Sequence, residues 1–118
     1  MKYTKKDGIY RIVLMSGAQN NILGVTFADE NNIENNIEII EWWGTSQVVD
    51  KRRVQTSKQE VLDQVTDGLQ LINQSLETNY KLSKIYFSPF DSGTCSVYRL
   101  LIAKLIRHYH NGNEFKEL

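Results

Sequence analysis

The fold turns on residues 57–90, SKQEVLDQVTDGLQLINQSLETNYKLSKIYFSPF. Ser57-Lys58-Gln59-Glu60 matches the S-x-x-E capping box, in which the serine hydroxyl accepts from the backbone N–H three residues on and the glutamate bonds back. Val61, Leu62, Val65, Leu69, Ile72 and Leu76 then recur at helical spacing on one face. Gly68 costs about 1 kcal/mol against alanine without ending the pattern. Asn79 is expected to stop the helix in the left-handed conformation. Over residues 81–90 the period becomes two, with Ile85 and Phe87 opposed to Lys84 and Tyr86, so a strand follows the helix. Pro89 should end its pairing or hold it to an edge.

Upstream, residues 9–15 are apolar and β-branched around Arg11 and read as a strand. A turn-rich connection at 16–21 leads to a second strand over 22–28, where Gly24 implies close packing or a bulge. An acidic, asparagine-rich loop at 29–36 precedes a third strand over 37–43. There Ile37, Ile39 and Trp43 oppose Glu38 and Glu41, and Ile40 breaks the alternation. These three strands are expected to form an antiparallel meander. Residues 47–55 suggest a short strand pair around Asp50-Lys51. Downstream, Asp91-Ser92-Gly93-Thr94 supplies turn and cap residues for a second helix over 95–109, ended by Asn111-Gly112. Its apolar face combines Val97, Leu101 and Leu105 with Tyr98, Ile102, Ile106 and Tyr109. Arg107 and His108 in its last turn suit the helix dipole. The order is β-β-β-(β)-α-β-α. It implies a single α+β domain over residues 1–118, with a mainly antiparallel sheet of four to five strands and two helices packed on one face.

The 118 residues suit one domain, and 41% hydrophobic with 24% charged residues is the composition of a packed chain. One cysteine excludes an internal disulfide framework and a multi-cysteine zinc site. No apolar stretch reaches signal-peptide or membrane-span length, so a cytoplasmic location and no membrane partner are expected. The 14 basic and 14 acidic residues balance, unlike a protein that coats nucleic acid. They are nevertheless segregated. Residues 7–50 hold seven acids (Asp7, Asp29, Glu30, Glu34, Glu38, Glu41 and Asp50) against Arg11 alone. Lys51-Arg52-Arg53 and Lys58 form a small basic cluster, and residues 80–118 carry six bases against three acids. Most charge runs are solvated surface. An acidic loop and strand also present a field that selects a basic partner and speeds its capture.

Few residues offer chemistry. Cys95 sits near the start of the second helix, a setting that lowers a thiol pKa. A thiol enzyme using Cys95 is therefore one alternative. The phosphatase loop of a cysteine, five residues and an arginine is absent, because Arg99 comes too early. His108 and His110 lie about 20 Å along the helix from Cys95, too far to activate it, and a small packed thiol explains the residue more simply. The two histidines point to opposite sides and make a poor metal pair. No metal and no cofactor are expected. Asp91-Ser92-Gly93-Thr94 has too little glycine for a phosphate loop, and a helix cap accounts for it. Trp42-Trp43 is more informative. Adjacent strand residues face opposite sides, so if the strand runs through both, one tryptophan enters the core and the other can anchor a partner. The alternatives are a helix that covers that side or a strand that ends before Trp43. Tyr86 and Arg99 are further candidate contacts, and Tyr98 belongs to the core. Basic and aromatic residues do not interleave as in an RNA-binding sheet, so no direct nucleic-acid binding is expected.

The capped helix Ser57-Lys58-Gln59-Glu60-Val61-Leu62, the stretch Ile85-Tyr86-Phe87-Ser88-Pro89-Phe90-Asp91-Ser92, Tyr98 with Leu101, and Leu105-Ile106-Arg107-His108-Tyr109-His110 carry a resemblance. Over residues 57–115, about half the chain, it resembles small immunity proteins of bacterial contact-dependent inhibition and related polymorphic toxin systems. The resemblance implies a cytosolic, non-enzymatic protein that binds one cognate toxin domain, often a nuclease. That domain would be the C-terminal part of a large secreted protein. Glu34, Glu38, Glu41, Trp42 and Trp43 are the expected partner-binding residues, and no residue is expected to be catalytic. Two further alternatives are a phage or mobile-element inhibitor of a host nucleic-acid enzyme and a self-associating module that pairs an exposed edge at 81–90 across a homodimer axis.

Overall fold

A tight hairpin opens the chain. Asp7 and Gly8 both take positive φ, 52° and 79°, the geometry of a two-residue hairpin turn that Asp-Gly favours. They fold β1 (Lys2–Lys6) back on β2 (Ile9–Ser16), with Lys6 opposite Ile9 and Lys2 opposite Val13. This computed structural model describes residues 1–16, 19–28, 37–41, 57–88 and 97–118. The remaining elements are β3 (Gln19–Phe27), β4 (Glu38–Glu41), α1 (Lys58–Leu76), β5 (Leu82–Phe87), α2 (Val97–His110) and β6 (Lys116–Glu117). The expected strand pair at 47–55 lies outside the described residues, as does the start of the second helix before Val97.

The fold is α+β, with six strands in the order β4-β5-β3-β2-β1-β6. Pairing is antiparallel at β1–β2, β2–β3 and β3–β5, and parallel at β4–β5 and β1–β6. Two expectations are corrected here. The meander exists, but its members are β1, β2 and β3. The strand read at 37–43 does not join it, because β5 enters between β3 and β4. The edge expected at 81–90 is not exposed over Leu82–Phe87, because β5 is hydrogen-bonded on both sides; residues 89 and 90 lie outside the described residues. Two strands beyond the expected four to five come into view, β1 and the two-residue β6.

Register puts the core on one face. Ile12 pairs with Leu23, Leu23 with Phe87, and Val25 with Ile85, and all five are fully buried. Both helices cover that face. Val61, Val65 and Ile72 of α1 and Tyr98, Leu101, Ile102, Leu105 and Ile106 of α2 join the same cluster, as the helical periodicity foretold. The helices touch most closely at Gly68. A Cβ there would stand 2.6 Å from the Arg99 carbonyl oxygen and 2.6 Å from Ile102 Cγ2. The glycine that weakens α1 in isolation is the one that admits α2. Beside it Arg99 Nε meets Asp67 Oδ2 at 3.1 Å.

Local polar bonds fix the helix ends. Glu60 N–H donates to Ser57 Oγ at 3.2 Å, the forward half of the capping box. At its other end α1 stops earlier than expected. Glu77, not Asn79, takes the left-handed conformation, at φ 55° and ψ 45°. The cause is Asn73. Its Oδ1 accepts from Thr78 Oγ1 at 2.9 Å and from Tyr80 N–H at 3.0 Å, and its Nδ2 donates to the Tyr80 carbonyl at 3.0 Å. This grip turns residues 78–80 toward β5 and leaves Glu77 to bear the strained φ. Gln64 of α1 caps α2, its Oε1 accepting from Tyr98 N–H at 3.0 Å.

At the lower end of the sheet β5 carries an extra residue. Thr26 and Phe27 are consecutive, yet they face Lys84 and Leu82, so Ser83 is bulged. Its Oγ lies 3.1 Å from Thr26 Oγ1. The bulge brings Leu82 onto the core face beside Phe27.

Candidate functional site: an aromatic trough at the open end of the sheet

Five segments bring an aromatic ring to this end of the sheet, each next to an element boundary. Tyr10 follows the first hairpin, Phe27 ends β3, Tyr80 precedes β5, Tyr109 lies in the last turn of α2, and Phe115 precedes β6. Tyr10 meets Phe27 at 5.3 Å between centroids, Tyr109 at 5.2 Å and Phe115 at 5.0 Å, all edge-on. Phe27 lies 4.5 Å from Tyr109, and Tyr80 lies 5.7 Å from Tyr109. Edge-on contact suits the ring quadrupole but does not close space as aliphatic packing does. All five rings are half-buried.

Two clefts remain, with Tyr109 between them. One, of about 440 Å³, is walled by Phe27, Tyr80 and Tyr109 and edged by Asn79 and Lys81. The other, of about 570 Å³, is walled by Tyr10, Tyr109 and Phe115 and edged by Lys5, Glu114 and Glu117. The Lys5 ammonium stands 5.0 Å over the Tyr10 ring, within cation–π range. Tyr80 Oη and His110 Nδ1 share a hydrogen bond of 2.9 Å.

The histidines diverge, as their spacing predicts. His110 serves Tyr80. His108 stacks on Tyr3 at 3.7 Å and 2°, and its Nε2–H donates to the Glu114 carbonyl at 2.8 Å. The donor is assigned because a carbonyl only accepts. This bond and the Phe115 contacts lay the C-terminal segment along β1, where Leu118 N–H donates to the Lys5 carbonyl at 3.0 Å.

Of the expected partner-binding residues, Glu38 and Glu41 are described. Glu34, Trp42 and Trp43 lie outside the described residues, as do Cys95 and Asp91-Ser92-Gly93-Thr94. Glu38 is exposed and Glu41 half-buried on β4, the edge strand among the described residues. They do not share a face. Glu38 registers with Lys84 on the side away from the helices, and Glu41 registers with buried Phe87 on the helix side. The sequence reading sets Glu41 with Glu38 and lets Ile40 break the alternation; the period of two instead continues through Ile40, so Glu41 falls on the face of Ile39. Tyr86 is 9% exposed and Arg99 is paired to Asp67, while Tyr98 is in the core as expected.

Charge separates across the sheet. Glu38 and Glu41 mark one edge. Lys2, Lys5 and Lys6 on β1 and Lys116 on β6 mark the other, four and five strand spacings from β4, or about 19–24 Å away. Ala28, the last described residue before the acidic segment 29–36, lines the first cleft beside Phe27. Among the described residues no three of His, Cys, Asp or Glu gather to hold a metal ion. No helix among them is long and apolar enough to cross a membrane. No family model matches the sequence, and no match is found among curated proteins or solved structures.

The trough escapes sequence reasoning because residues 10, 27, 80, 109 and 115 share no motif. A signal exists all the same: Asp7-Gly8 marks a tight hairpin, and each of these rings sits within three residues of an element boundary.

Proposed function

We propose that the chain is a non-enzymatic binding protein that neutralises a cognate toxin domain, as an immunity protein of the contact-dependent inhibition type does, by covering a basic active-site cleft. One observation carries this reading: five rings from separate elements stand half-buried at one end of the sheet, around open clefts. Tyrosine is among the residues that dominate binding energy at protein interfaces, since it offers a rigid apolar face and a polar tip. Ala28, after which the acidic segment 29–36 begins, lines the trough, and the carboxylates of that segment would supply the negative field that a nuclease cleft, built to hold phosphates, favours.

The test begins with the partner. The tagged chain is used to capture proteins from a lysate of its source organism, and the captured domain is then assayed alone and with one equivalent of the chain. The reading predicts a stoichiometric partner whose enzymatic activity is abolished on mixing. It also predicts that Tyr80→Ala with Tyr109→Ala weakens the complex by about a hundredfold, in line with two hot-spot truncations. Reversal of Glu34, Glu38 and Glu41 together should slow association, most strongly at low salt. Full toxin activity in the presence of excess chain would refute neutralisation. Unchanged affinity in the tyrosine variant would move the contact surface elsewhere.

A further inference from the structure

We propose that the recess between Tyr3 and the last turn of α2 binds a phosphate dianion, either free or as a small monoester. Lys104, Arg107 and His108 are spaced i, i+3 and i+4 and share one face of α2. With Asn111, Asn113 and Tyr3 they line an open recess of about 190 Å³. Two permanent cations and two side-chain amides line it, and among the described residues no carboxylate does.

A contrast on the same helix makes the point. Arg99 is neutralised by Asp67 at 3.1 Å. Lys104 and Arg107 join no ion pair among the described residues, although acids are abundant in the chain. The helix dipole favours bases at this end, but it does not call for a recess or for amides around it. The last-turn carbonyls are also turned to other use. Arg107, Tyr109 and His108 accept from the backbone N–H groups of Asn111, Gly112 and Asn113 at 3.0, 3.1 and 3.1 Å, so their charge is blunted where an anion would sit. Gly112 makes this possible with φ 71°. His108 acts as a wall, since its ring is held by the Tyr3 stack and its Nε2–H by Glu114. Nearby β1 adds Lys2, Lys5 and Lys6 to the positive field of this edge. Two fixed charges match a dianion better than the single charge of a diester. The site lies across the sheet from β4 and does not depend on the toxin-binding reading.

The test is an amide NMR titration of the whole chain at pH 7.5 and fixed ionic strength. Inorganic phosphate, glycerol phosphate and dimethyl phosphate serve as separate probes. Saturable shifts confined to residues 104–113 and Tyr3 are expected for the two dianions. The diester should bind at least tenfold more weakly. Binding of inorganic phosphate alone would assign the site to the free ion, and stronger binding of glycerol phosphate to a monoester. Lys104→Gln with Arg107→Gln, both at exposed positions, should weaken the dianion at least tenfold. Lys84→Gln should leave it unchanged. Shifts that follow the lysines everywhere without saturating, equal affinity for the diester, or unchanged binding in the double variant would each overturn the proposal.

Discussion

The aliphatic centre and the aromatic end of this molecule are packed on opposite terms. At the centre, Ile12, Leu23, Ile85, Leu101, Ile102 and Leu105 have no exposed surface, and the helices approach until Gly68 touches the backbone of Arg99. At the end, Tyr10, Phe27, Tyr80, Tyr109 and Phe115 keep centroid spacings of 4.5–5.9 Å and stay half-buried around two clefts. Branched aliphatic side chains interdigitate and expel water. Tilted rings with phenol groups leave gaps, and their hydroxyls need water or a partner. Close packing and open aromatic surface thus occupy different parts of one continuous layer.

Four substitutions measure the contrast, each by urea denaturation with the midpoint read at constant m. Leu101→Ala should cost the most, about 2–5 kcal/mol, because a fully buried site in a rigid core cannot collapse around the missing methyls. Gly68→Ala should follow at about 1–3 kcal/mol, since the new methyl meets backbone and not a yielding side-chain tip. The usual helix gain of alanine over glycine makes this a sharp test: a stabilised variant would show that the helices are not in contact at Gly68. Asn73→Ala should lose about 1–3 kcal/mol by stripping the Tyr80 amide of its partner. Tyr109→Leu should cost the least, under about 1.5 kcal/mol, because an aliphatic replacement keeps much of the buried area and loses the ring contacts. A large loss there would erase the distinction between the two ends.

What could be read from the chain was local and periodic. The face of α1, its Ser57 cap and the buried stripe of α2 follow from residues three and four apart, and each reappears in the fold. Strand order was not legible. That β5 lies between β3 and β4 depends on which edges remain free after the hairpins close, and no short window of sequence records it. β1 escaped because Lys2-Tyr3-Thr4-Lys5-Lys6 presents one large apolar side chain, although Asp7-Gly8 beside it is a strong hairpin signal. The end of α1 was misplaced because Asn73 acts from within the helix on residues up to seven positions ahead. Glu38 and Glu41 were read correctly as strand residues. Only pairing shows that Glu38 and Glu41 leave β4 on opposite sides.

The placement of β5 also sets an order in time. Leu23 finds its neighbour in Phe87, about 60 residues further along, which at about 5–20 residues per second takes roughly 3–12 s to synthesise. Throughout that interval the hairpins of β1, β2 and β3 can close, but β3 offers an unpaired edge to whatever is near. The nascent chain is most vulnerable to association with its own copies before β5 leaves the ribosome. Folding of the whole sheet must then wait on this long-range closure, whose loop entropy is lost before its contacts form.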